Sequence, residues 1–488
     1  MIETRITLGV VAGTLVIFAA VGGWAARGRV ESVESFVTAR DSLGTAALTG
    51  TVIASSMGAW ILFSPPEAGA AFGGATAVVG YAAGSALALA AYAIVGPRIR
   101  GLLPAGHGIT EYARARYGDG FAAYVLFVSV GYMFVFLAAE FTGVAGAVAT
   151  LAGVPGWQTA TLVGGTVLAY TAYGGLRASV ATDVLQTVLI LPLLALVVGV
   201  TLVAVGGPTA VIRDAAAANP SLVDPGYGPG LKFAAYVVVA IVSAELLNQS
   251  WWQRVYAARD ERTLQRGYLL GALLVFPMVI AVGLFGLVAV GRGLEGSPSV
   301  SLFLVVKAVL PDVLVLGVAV LATLLVASSA DTLFNAIASL VAVDLPKIAG
   351  LGKDDLTFVA RGATAVVAVA ATVVGAQGYS VLTLFLLADL LAAATVVPLF
   401  HGLVSRRAWG GGAMVGSAAG LVVGVAFFPP ARAVLPVGLP AASFLRAFGL
   451  AVLVSGVTCV LAARVADRRF DLDRLAAAGS RVGARESD

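Results

Sequence analysis

Thr51–Ala70 reads TVIASSMGAWILFSPPEAGA. The stretch is apolar enough for hydrocarbon, yet it carries the adjacent hydroxyls Ser55 and Ser56, then Gly58, and Pro65-Pro66 toward its end. Polar groups in lipid are expensive and normally face a protein interior or a wet cavity. A second stretch, Ala234–Val255, reads AAYVVVAIVSAELLNQSWWQRV and places Glu245, Asn248 and Gln249 at similar depth. Helices interrupted at the membrane midplane free carbonyls and amides to hold ions and solutes. A kink in a packed bundle is the plainer reading of either stretch alone. The pair is more telling, because each would open a block of five spans.

Working outward, the whole chain has the composition of a membrane protein. Its 488 residues are 59% apolar and only 11% charged, with a mean hydropathy of +0.97. A soluble domain carries about 25% charged residues. Thirteen apolar runs are long enough to span, at 5–26, 43–63, 72–95, 121–150, 157–175, 179–205, 232–257, 267–291, 313–344, 358–376, 379–403, 411–428 and 443–465. They are continuous rather than alternating, which selects helices over a transmembrane barrel. The expectation is an all-α integral membrane protein of about 13 transmembrane helices. The first run is followed by Arg27 and Arg29 rather than a cleavage site, and reads as a retained span.

The basic residues set the orientation. With the N-terminus outside, only Arg5, Arg213, Lys232, Arg292, Lys307, Arg432 and Arg446 of the 30 Lys and Arg residues fall on the outer side. The rest lie in inner loops and the tail, so the positive-inside rule places the N-terminus out and the C-terminus in the cytoplasm of a cell (inner or plasma) membrane. The net charge of +4 is therefore a property of membrane loops and does not indicate a nucleic-acid partner. Expected units are 1–42 (an extra span and inner loop), 43–205 and 232–403 (two five-helix repeats), 404–465 (two further spans) and 466–488 (a tail). An odd number of spans per block inverts the second against the first. The loops are too short for a soluble catalytic domain, so no enzyme and no cofactor are expected. The single cysteine, Cys459, excludes a disulfide framework, and His107 and His401 stand at span edges as structural or interfacial groups.

The ninth span contains LLVASSADTLFNAIASLVAVDLP, Leu324–Pro346. Ser328 and Ser329 are adjacent hydroxyls, and Asp331 and Asn335 share a helix face. Small residues also serve close helix packing. Hydroxyls and carbonyls without a fixed carboxylate suit a small alkali cation held weakly enough to leave. Glu67, Glu140, Asp183, Glu245 and Asp389 lie in or near spans, with no Lys or Arg close to a span centre to pair with them. An electronegative cavity is expected, with Ser56, Glu140, Glu245, Asn248 and Gln249 as candidate substrate-binding groups. The roles of Glu67, Asp331 and Asp389 stay open at this stage.

Tyr170–Ile190, YTAYGGLRASVATDVLQTVLI, closely resembles the signature of the sodium:solute symporter family, which includes sodium/proline, sodium/sugar, pantothenate and urea importers. ARDSLG (Ala39–Gly44), LNQSWWQRVYAARD (Leu247–Asp260) and SSADTLFNA (Ser328–Ala336) resemble further segments of that family, in order. The resemblance implies a LeuT-type five-plus-five inverted repeat and alternating access driven by sodium. It implies side-chain oxygens for sodium from Ser328 and Ser329, backbone carbonyls from Ala54, Met57 and Leu325, and a coupling or release role for Asp183. It also implies a solute hydrogen bond from Asn248 and an aromatic gate at Trp251. Ser56 stands where the proline transporter has Asp, and Pro65-Pro66-Glu67, Glu140, Glu245 and Asp389 do not match the proline or sugar members. The expected function is sodium-coupled import of a small polar solute such as an amino acid, urea or an amine. Proton coupling and a channel are the alternatives, and the only partners implied are the solute, sodium and the lipid bilayer.

Overall fold

The computed structural model describes residues 4–25, 40–349, 353–434, 440–467 and 469–478, with the side chains of 22–25, 54–55, 170, 172–188, 339, 342–349 and 353–361 outside that description. The chain is a succession of helices. The first group is α1 (Thr4–Ala25), α2 (Thr45–Ser56), α3 (Trp60–Glu67), α4 (Gly74–Leu102), α5 (Ile109–Tyr117), α6 (Asp119–Ala152), α7 (Gly156–Ala204) and α8 (Gly207–Ala218). Then come α9 (Gly228–Glu245), α10 (Gln249–Ala257), α11 (Glu261–Gly291), α12 (Ser301–Val309), α13 (Asp312–Ala349), α14 (Lys353–Gly375) and α15 (Val381–His401). The chain finishes with α16 (Gly410–Phe427), α17 (Pro429–Val434), α18 (Phe444–Arg464) and α19 (Arg474–Ala478). Nine described helices are long and apolar enough to cross a membrane, or ten if the pair Leu189–Ala204 and Gly207–Ala218, bent by 59°, is one span.

Both expected interruptions are present. The first of the two stretches breaks at Met57–Ala59, between α2 and α3, and the other at Leu246–Asn248, between α9 and α10. The first break falls at Gly58 and not at the prolines. Pro65 and Pro66 stand inside α3, which passes into a π-helical turn at Ala68–Gly73. Proline removes a ladder hydrogen bond, and widening the turn is one way the backbone absorbs the loss. The chain then reverses at Gly73 (φ 143°) and Gly74 (φ 66°), a left-handed corner that only glycine takes without strain.

One expectation differs. The spans expected at 157–175 and 179–205 lie in a single 49-residue helix, α7. At 1.5 Å per residue it is about 74 Å long if straight, more than twice the ~30 Å hydrocarbon core. Gly174-Gly175 lies within it. Glycine costs a helix about 1 kcal/mol but keeps its N–H, so the ladder continues through it. The expected loop at 206–231 is also partly ordered, as α8 and a 3₁₀ turn at Pro220–Val223.

Glycines set how closely the broken spans approach their neighbours. A Cβ on Gly286 of α11 would lie 2.0 Å from the Pro66 carbonyl oxygen, and one on Gly80 of α4 would lie 2.4 Å from the Ala234 Cβ of α9. Without a hydrophobic force between helices in lipid, such close packing is a main source of association. At the arginine-rich end, buried Arg116 of α5 donates to the carbonyls of Gly402, Ser405 and Ala408 and ties α5 to the α15–α16 loop. Gly286→Ala should lower the melting temperature of the detergent-solubilised protein, since overpacking costs about 1–3 kcal/mol. Gly13→Ala, inside α1 with nothing within 4 Å of the added carbon, should not lower it.

Candidate functional site

The first break exposes the amide end of α3, and Glu140 of α6 meets it. The Glu140 carboxylate is 1% exposed and accepts the backbone N–H of Ala59 at 3.1 Å and of Trp60 at 3.2 Å. Ser329 of α13 reaches the same point. A Cβ on Gly58 would stand 3.1 Å from a Glu140 oxygen and 3.2 Å from the Ser329 hydroxyl. Ser329 also donates to the Leu325 carbonyl at 2.7 Å. Ser329, Leu325, Gly58 and the buried Met57 next to it are thus gathered at one place, with Ser328 half-buried beside Ser329 on α13. Ala54 lies in the last turn of α2, where carbonyls lack an intrahelical partner, and its side chain is outside the described residues. Ser56 turns back to donate to the Ile53 carbonyl at 2.7 Å. The hydroxyls and carbonyls singled out in the sequence included no carboxylate here; the fold brings Glu140 beside Gly58 and Ser329.

The second break is held by its own polar residues. Asn248 caps α10, accepting from the Ser250 amide at 3.1 Å and hydroxyl at 2.8 Å, and donates to Glu245 at 3.1 Å. Glu245 also accepts from the Tyr132 hydroxyl of α6 at 3.1 Å and from the Trp251 indole. The Tyr92 hydroxyl takes the Glu245 carbonyl at 2.6 Å, and the Trp252 indole takes that of Leu246 at 2.9 Å. The carbonyls and the carboxylate freed by the break are therefore met by side chains, as the absence of water in a bilayer demands. Gln249 does not join them. Its amide donates to the His107 carbonyl at 3.0 Å and anchors the α4–α5 loop.

Of the remaining acids, Glu67 ends α3 and caps α15, accepting from the Ser380 hydroxyl at 2.6 Å and the Leu382 amide at 3.2 Å. Asp389 of α15 is 5% exposed and lies within electrostatic reach of Glu245. Asp331 is fully buried on α13, and its carbonyl accepts from Asn335 at 2.9 Å. The Asp183 side chain lies outside the described residues. Tyr81, Tyr132 and Trp60 join the site although the sequence had not singled them out; Trp60 stacks on Tyr81 with ring centroids 5.7 Å apart. The available signal was depth, because tyrosine prefers the membrane interface and these two tyrosines fall well inside their helices.

Comparisons with known proteins agree with this architecture. A family model described as the sodium:solute symporter family matches residues 36–420. A spermidine transporter of Candida albicans is 25% identical over 385 residues, covering 78% of this chain and 72% of its own. A sodium/pantothenate symporter of Haemophilus influenzae is 31% identical over 173 residues, 34% of this chain and 35% of that one. Among solved structures, a sodium-coupled sialic acid symporter in a substrate-bound outward-open state superposes with a TM-score of 0.73 at 16% identity, over 95% of this chain and 98% of the other.

Glu140→Ala should destabilise the protein, because it leaves two buried amides unpaired at about 1–3 kcal/mol each. Glu140→Gln keeps an acceptor oxygen and should lose less. Thermal unfolding of the two variants in detergent, compared with wild type, checks the order.

Proposed function

The chain belongs to the sodium:solute symporter family, and from that membership we propose that it imports a small polar organic solute by alternating access, driven by sodium. The observation that carries this reading is the meeting of Ser329 with the break of the first span. Hydroxyl oxygens of Ser328 and Ser329, with carbonyls of Ala54, Met57 and Leu325, would supply a sodium site from the first broken helix and α13. An ion there links the broken span to α13 and stabilises the state in which both contribute. The membrane potential adds about 2.3 kcal/mol per charge per 100 mV. In this reading the expected orientation is retained, and the outer side closes and the inner side opens around the two breaks.

The solute site of this reading lies at the second break, where Glu245 and Asn248 face the helices that carry Tyr132 and Asp389, with Ser56 at the end of α2 and Trp251 as gate. Gln249 is committed to its loop and is left out. Asp183 keeps the release role implied by its motif. The spermidine transporter among the relatives supports an amine as one kind of small polar solute.

A second reading is favoured by one observation. Glu140 stands at the first break beside Ser329, where a carboxylate is able to carry a proton in place of the ion. Uptake into proteoliposomes, with sodium replaced by potassium at fixed pH, separates the two. Sodium coupling predicts loss of accumulation, and Ser329→Ala should raise the sodium concentration for half-maximal uptake about tenfold, or ~1.4 kcal/mol. Undiminished uptake in potassium would assign the coupling to protons.

A further inference from the structure

Glu245 and Asp389 put two carboxylates into one region of the membrane interior, on α9 and α15. Glu245 is satisfied by Tyr132, Asn248 and Trp251. Asp389 is 95% buried by its 5% exposure, yet among the described residues it makes no hydrogen bond, and the charged group that acts on it is Glu245. Neither acid is ion-paired to a basic side chain among the described residues. Two like charges in low dielectric repel, and charged groups there mark a transport pathway or require a partner. A cation bound between them would offset that repulsion.

The surroundings indicate which kind. A run of aromatic rings connects the two acids. Phe385, one turn before Asp389 on α15, packs edge-on against Phe136 at 4.9 Å, Phe136 against Tyr132 at 5.9 Å, and Tyr132 donates to Glu245. The Tyr81 hydroxyl also lies in the field of both carboxylates. Ring faces attract cations of low charge density, which suits an alkylammonium better than a strongly hydrated alkali ion. A cargo bearing its own carboxylate would bring a third negative charge with no basic group to receive it.

Building on the symport reading above, we propose that Glu245 and Asp389 form the recognition site for an organic cation, an alkylammonium group seated between the two carboxylates against Phe385 and Tyr132. Asp389 takes the ammonium directly, because its oxygens are uncommitted, and Glu245 supplies the second charge from a fixed position. The Trp60–Tyr81 stack places this cargo next to the first break, so the cargo and the coupling ion occupy adjoining sites.

The test uses the full-length protein in lipid nanodiscs, with binding measured by calorimetry for putrescine, spermidine, choline, proline, urea and acetate. At least one of the three cations without a carboxylate should bind saturably, and proline, urea and acetate should not compete with it. Asp389→Asn keeps the shape and has no hydrogen bond to lose; it should weaken that binding by at least about tenfold, the scale of one lost charge contact. Phe385→Leu, which removes the ring face and retains an apolar side chain, should weaken choline severalfold and serves if Asp389→Asn does not fold. Binding of urea, proline or acetate alone, or cation binding unaffected by the foldable variant, would overturn the proposal while leaving symport intact. A cation that binds with the expected sensitivity but is not accumulated by a sodium or proton gradient would instead overturn the symport reading and leave the recognition site standing.

Discussion

A backbone amide or carbonyl that leaves its helix inside a bilayer must find another partner, because no solvent there will take it. This constraint organises the molecule around its two interruptions. At the first, the amides of Ala59 and Trp60 are taken by Glu140 from α6. At the second, Asn248 caps the new helix while Tyr92 and Trp252 cover the carbonyls behind it. Each break is therefore joined to other helices by directional bonds, and α6 serves both, through Glu140 at one and Tyr132 at the other. Glu140 and Tyr132 are eight residues apart on α6, so one helix carries a partner for each break.

The acids that the sequence marked out divide into distinct tasks once the fold brings them together. Glu140 and Glu67 close helix ends, at α3 and α15 respectively. Glu245 is held rigid by three donors, and Asp389 is held by none of the described residues. A carboxylate fixed by neighbours and one left open differ in what they offer a ligand: the first sets the field, the second makes the contact. Burial alone does not separate these roles, since Glu140, Glu67 and Asp389 are all at most 5% exposed.

The helical class, the membrane setting and both interruptions were legible because they are local. They follow from the length of apolar runs and from polar residues at mid-span, as in Ser55-Ser56-Met57-Gly58 and Glu245-Leu246-Leu247-Asn248. The proximity of Ser329 to the first break was legible only through the resemblance of short motifs to a known family. The partner of a buried acid was not legible, because it is set by which helices become neighbours across more than a hundred residues; Glu67 finds Ser380 in this way. Gln249 shows the converse. Its place beside Asn248 suggested a ligand-facing role, but the turn into α10 directs it onto the His107 loop. The continuity of α7 across Gly174-Gly175 escaped for a third reason, since glycine weakens a helix without ending it.

The contact of Gly286 with the Pro66 carbonyl has a mechanical meaning. Two helices separated by side chains slide by letting those side chains change rotamer, but backbones in direct contact have no such lubricating layer. The second half of the first broken span is thereby keyed to α11, and through Gly69 against the Gly283 carbonyl it is keyed twice. Any rocking motion must carry the two together as one rigid piece, with its slip planes at interfaces that still have side chains to rearrange.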